Sequence, residues 1–180
     1  MKIIIPLILT CCLAFNGFAQ EHDKGDEHDK HEEEKFEHHC KFEERTLTLG
    51  IGGAYSTSID QLGLNLRMYY NIGEHICFGP EYSYFKNDEH EIVDFDFIGH
   101  YIFETHLVGI YPLFGGNYTV ETTFSEEEAE EDEIEEEFGV IYGLGIHRNV
   151  KGFTFFAEYS RIDLGIDDQF ITVGVMYMFR

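Results

Sequence analysis

The chain has 180 residues and a formal net charge of −23. That length suits one domain, and that charge argues against nucleic acid or an anionic membrane surface as a partner. The charge is concentrated: residues 20–44 hold eleven acids against four lysines, and residues 126–137 hold ten acids and no base.

Met1–Ala19 reads as a cleavable signal peptide, with Lys2 as its positive start, Ile3–Phe15 as its apolar core and Gly17-Phe18-Ala19 as the cleavage site. The apolar run is shorter than the roughly twenty residues a spanning helix needs. Cys11 and Cys12 raise a lipoprotein alternative, but Ile8-Leu9-Thr10 is a poor lipobox. Cleavage leaves Cys40 and Cys77 in a compartment that permits disulfides. Cys40 lies close enough to the first strand for a bridge between the two to be worth testing.

Residues 20–44 form a low-complexity arm containing the repeat Glu21-His22-Asp23-Lys24 and Glu27-His28-Asp29-Lys30. Phe36 and Phe42 are its aromatic residues, so it cannot bury enough apolar surface to offset chain entropy. The expected state is a disordered, solvated tether. Five of the ten histidines fall here, His22, His28, His31, His38 and His39. Imidazole suits zinc, copper and nickel, so these five are the candidate metal ligands. Nothing spells out a fixed tetrahedral set, and binding is expected to be weak and multi-site.

From Arg45 onward the chain alternates with period two. Leu62, Leu64, Leu66, Met68, Tyr70 and Ile72 share one face, and Gly63, Asn65, Arg67, Tyr69 and Asn71 the other. The same pattern runs through segments near 45–55, 76–85, 93–103, 108–120, 138–147, 153–161 and 169–179. Eight such segments, each about as long as the roughly 9–11 residues a bilayer crossing requires, predict an all-β, eight-stranded antiparallel transmembrane β-barrel over residues 45–180. The connections Asn71–His75, Glu104–His106 and His147–Gly152 are tight. Ser56–Asp60, Lys86–Ile92, Glu121–Glu137 and Ser160–Asp168 are mostly longer and polar. That alternation is the layout of a membrane barrel, with the arm and the tight turns on the periplasmic side and the acidic loop outside. A soluble lipocalin-like barrel shares the pattern. Its exterior would carry dense Lys and Glu, whereas the polar face here is glycine, Thr, Asn and single charges, as suits a narrow lumen.

The ending Val173-Gly174-Val175-Met176-Tyr177-Met178-Phe179-Arg180 resembles the C-terminal assembly signal of outer-membrane barrels, displaced by one residue because Arg180 follows the aromatic. The segment GIYPLFGGNYTVE at Gly109–Glu121, with the Phe18-Ala19-Gln20 junction, resembles small Bacteroidetes-type outer-membrane β-barrel proteins, similar in architecture to the OmpX and OmpA barrels. The resemblance implies a location in the cell outer membrane. It also implies outer-membrane lipid and the barrel-assembly machinery as partners. Such folds host diverse functions.

No nucleophile constellation stands out, and no enzymatic role is expected. His90, beside Asp88 and Glu89, is the histidine in an outward loop, and surface polarity explains it better than acyl-transfer chemistry. Arg67, Glu81, Asp94, Asp96, His100 and Glu158 are expected to point into the lumen as structural ion pairs rather than a permeation path, because side chains fill a barrel of this size. The acidic loop can attract divalent cations. The leading expectation is thus a structural or binding barrel whose arm interacts with divalent metals, with no required cofactor. A narrow channel and a lipid-modifying enzyme are the alternatives.

Overall fold

The computed structural model describes residues 42–105, 107–124, 133–150, 152–163 and 168–179. Strand β1 is Thr46–Ser56, β2 Gln61–Asn71, β3 Ile76–Lys86, β4 His90–Tyr101, β5 Phe103–Glu104, β6 Gly109–Thr123, β7 Glu133–Val150, β8 Phe153–Asp163 and β9 Asp168–Phe179. Apart from β4 and β5, each strand pairs antiparallel with its chain neighbour, β1 pairs with β9, and β4 pairs with β6 to close the ring. The two residues of β5 continue β4 in an unbroken register against β6, since His100 opposes Leu113 and Phe103 opposes Ile110. That register sets Tyr101 opposite Pro112, which has no N–H to give the ladder. Nine segments therefore build eight staves, and closure leaves no open sheet edge around the ring.

Alternation decides the faces as expected. Outward-pointing Leu47, Leu49, Ile51, Leu62, Leu64, Leu66 and Met68 are exposed, while Thr48, Asn65, Arg67 and Asn71 between them are buried. The exposed belt is rich in aromatic contacts: Tyr101 with Phe103 and Tyr177 with Phe179 near the tight turns, Tyr118 with Phe138 near the opposite end. An apolar exterior over a polar interior inverts a soluble protein and matches a hydrocarbon solvent. Eleven-residue strands rising roughly 3.3 Å per residue and tilted about 40° cross roughly 28 Å, close to a bilayer core.

The strands reach further than the sequence suggested. β4 begins at His90, inside the stretch 86–92 expected to be loop. β6 runs to Thr123 and β7 starts at Glu133, so Glu121 opposes Glu135 and Thr119 opposes Glu137. β8 extends to Asp163 and β7 to Val150. These ends form because a neighbouring strand supplies hydrogen bonds, while the carboxylates of Glu133, Glu135 and Glu136 stay exposed and hydrated. Charge disfavours burial, not pairing. At the β7–β8 turn, Gly152 has φ +88°, a left-handed conformation that glycine adopts without strain.

The arm also ends earlier than expected. Phe42, assigned to the solvated tether, is 4% exposed and sits inside the tight-turn end of the barrel. Its ring lies 5.1 Å from that of His147, in a cluster with Tyr69, Cys77, Ile102, Tyr111, Phe156 and Met176. Thr46 Oγ1 donates to the Glu43 carbonyl at 2.6 Å, and the Arg45 N–H donates to the Asn71 carbonyl at 2.7 Å, fixing the entry of the chain. An aromatic side chain gains too much from leaving water to stay on a tether beside such an apolar cluster.

Candidate functional site

The lumen is layered. Phe42 and its neighbours close the tight-turn end, and Phe85, Ile92, Ile162 and Phe170 form a second apolar layer at the long-loop end, while Ile98 of the same cluster lies deeper, on the tight-turn side of Asp94 and Asp96 along β4. Between the two layers lies a polar girdle, where all six lumen residues named from the sequence are buried: Arg67, Glu81, Asp94, Asp96, His100 and Glu158.

Arg67 is its centre. The β2–β3 register sets Arg67 directly opposite Glu81, and the curvature of the wall brings Glu158 from the far side. The guanidinium contacts Glu81 Oε2 at 3.0 Å and Glu158 Oε1 at 2.6 Å, and its Nε donates to Asn65 Oδ1 at 2.9 Å. Its plane lies over Phe156, 3.9 Å from the ring centroid. Tyr111 donates to Glu158 at 2.6 Å and Tyr69 donates to Glu81. Asn65 Nδ2 donates to both Glu81 and Ser83. Two inward glycines make this possible: a Cβ on Gly50 would stand 2.7 Å from Arg67 Cγ, and one on Gly145 would stand 2.3 Å from Tyr111 Cζ.

The expectation of ion pairs holds for three of the six. Asp94 accepts from Thr119 and Asp96 from Asn117, both neutral donors. His100 stacks edge-on against Tyr69, 4.6 Å between centroids, and lies 3.5 Å from both the Tyr69 hydroxyl and the Cys77 sulfur. Those partners come from register and curvature, which a linear pattern does not carry. Tyr69 and Tyr111 have the inward parity the alternation implied, but nothing in the sequence marked them as carboxylate donors.

Two groups of described residues have the spacing to hold a metal. Glu81, His100 and Glu158 bring ligand atoms within 4.8 Å of one another, as do Glu74, His75 and Glu104 at the tight-turn rim. In the first, Arg67 already satisfies both carboxylates, and a second cation would meet its charge at short range. We read that trio as a structural network. Cys77 is a buried free thiol, whereas Cys40 lies outside the described residues. So do His22, His28, His31, His38 and His39, and the five candidate ligands are not placed by the structure. His90 opens β4 rather than a loop, with Nδ1 3.0 Å from Glu121 Oε1.

No protein-family model matches the chain, and no curated protein sequence matches it. Solved structures do. The N-terminal β-barrel domain of Pseudomonas aeruginosa OprF superposes with a TM-score of 0.63 at 13% identity, over 76% of this chain and 98% of that one. Ail, the attachment invasion locus protein of Yersinia pestis, gives 0.57 at 18% identity, over 76% and 99%. Neisserial surface protein A gives 0.56 at 13% identity, over 74% and 94%. Together with the closed ring and the apolar exterior, these likenesses show that the chain has the eight-stranded β-barrel fold of small outer-membrane proteins.

Proposed function

We propose that this chain is an outer-membrane barrel whose work is done at its two ends rather than through its lumen. It anchors an acidic hairpin on the outer side and a histidine-rich arm in the periplasm. The observation that carries this reading is the filled interior. Two apolar layers and an ion-paired girdle occupy the lumen, and its cavity measures about 10 Å³, room for roughly one water molecule. A channel would need the Arg67 girdle and both apolar layers to open together. This makes the narrow-channel alternative the weaker one, and the reading assigns no catalysis.

In this reading the arm collects divalent transition metals weakly. His22, His28, His31, His38 and His39 supply neutral imidazoles near pH 7, and the surrounding carboxylates raise the local cation concentration. Ordering a flexible segment around an ion costs entropy for every ligand recruited, so the affinity is modest. Zinc, copper and nickel titrations of the full mature chain in detergent should show several weak sites, lost below about pH 6 as the imidazoles protonate. Changing the five histidines to Asn should abolish them. Equal binding by the Asn version would reduce the arm to a charged tether. Conductance in planar bilayers should stay at baseline for both proteins, and a steady single-channel current would reject the closed lumen.

A further inference from the structure

We propose that the barrel encloses one calcium ion in its lumen, held by Asp94 and Asp96 on the long-loop side of the Arg67 network. This site is independent of the histidine arm.

The first argument is electrostatic. In the middle of the lumen the buried carboxylates of Glu81, Asp94, Asp96 and Glu158 face the single buried guanidinium of Arg67 among the described residues, a formal charge of −3. Arg67 spends its contacts on the two glutamates. Asp94 and Asp96 are left with neutral donors, Thr119 and Asn117. Register makes matters worse, because Asp96 stands directly opposite Glu81 across the β3–β4 ladder, and like charges directly opposed destabilise a sheet. Burying a carboxylate that no cation offsets is among the costliest arrangements a fold can hold.

The second argument is geometric. Asp94 is 2% exposed and its Oδ2 has no hydrogen-bond partner. Asp94 and Asp96 both line the lumen cavity of about 10 Å³. Its polar wall also includes Glu81 and Glu158, already held by Arg67, and the hydroxyls of Ser83, Ser160 and Thr172, with Ile98 and Phe170 on its apolar side. A space for about one water molecule excludes a hydrated ion or an organic ligand.

The third argument concerns which ion. Every polar side chain just named offers oxygen, which favours hard cations over the transition metals that imidazole and thiolate attract. A divalent ion neutralises the aspartate pair. Magnesium demands near-octahedral geometry and gives up its waters reluctantly, whereas calcium accepts irregular oxygen cages. Calcium also fits a site fixed by sheet register rather than by a dedicated loop. The apolar layer of Phe85, Ile92, Ile162 and Phe170 lies between the site and the long-loop end, so exchange is slow and the ion is captured as the barrel closes.

The test is to fold the full mature chain in detergent with calcium or with EDTA, remove free ion by gel filtration, and measure metal by mass spectrometry. The wild type folded in calcium should retain one ion per barrel, and Asp94→Asn/Asp96→Asn should lose at least nine-tenths of it. Free calcium at about 100 times its Kd should raise the wild-type melting temperature by about 5–10 °C. The double variant should ignore calcium and melt above the wild type in EDTA, because its lumen carries less unbalanced charge. If the double variant does not fold, Ser83→Ala, which removes one oxygen and no charge, should lower retention several-fold. Metal content at background in wild type, with a melting temperature that ignores calcium and climbs as the pH is lowered, would overturn the proposal. Protons would then be neutralising the pair.

Discussion

Arg67→Met is the sharpest probe of what holds this barrel together. Methionine keeps much of the apolar stem that packs beside Gly50 and under Phe156, and it deletes the charge. Two carboxylates at 3.0 and 2.6 Å then lose their shared cation at a site where both partners' side chains are at most 5% exposed. Breaking a buried ion pair by removing one partner typically costs about 3–5 kcal/mol. Here one deletion strands two acids, so the expectation is the upper part of that range, about 4–5 kcal/mol. The cost is mostly that of the abandoned charges, not of the lost attraction. The triple variant Arg67→Met/Glu81→Gln/Glu158→Gln should therefore recover most of the stability, because no charge remains to be neutralised. Urea titrations of the barrel in lipid vesicles, read by the gel mobility of the folded form, give both differences. An Arg67→Met variant within about 1 kcal/mol of wild type, the range of an exposed pair, would refute the reasoning. So would a triple variant no more stable than the single one.

Phe42→Ala should destabilise the barrel by about 3 kcal/mol, the low end for a buried phenylalanine, since the ring is 4% exposed against His147. An unchanged urea midpoint would mean that the ring leaves the lumen freely in solution. Phe179 points outward at the tight-turn end, 47% exposed and paired with Leu47. Phe179→Ser should cut the fraction inserted in the outer membrane far more than deletion of Arg180 does. Comparable losses from both would remove the C-terminal assembly signal from the argument.

Much of this molecule was legible in the sequence because hydrocarbon outside and a narrow polar lumen inside impose a strict period of two on every strand. That period predicted the eight staves and the facing of Leu62–Met68. It also predicted that Arg67, Glu81, Asp94, Asp96, His100 and Glu158 all point inward, since a side chain's parity along a strand is a local property. Partnership is not local. Arg67 meets Glu81 through the β2–β3 register and Glu158 through closure of a ring ninety-one residues later, and parity alone cannot tell which acids a single guanidinium will reach. Asp94 and Asp96 have the same parity as Glu81 and were left with neutral donors. Phe42 looked like part of a hydrophilic tether because its chain neighbours are charged, and only the apolar cluster at the tight-turn end decided that its ring goes inside. The acidic stretch after Thr123 read as loop by composition, yet Glu133–Glu137 pairs because the neighbouring backbone is there to pair with. The sequence by itself determined which face each residue takes, because strand geometry forces it. The tertiary structure alone decided which residues meet across the lumen, because that depends on register, curvature and the closing of the ring.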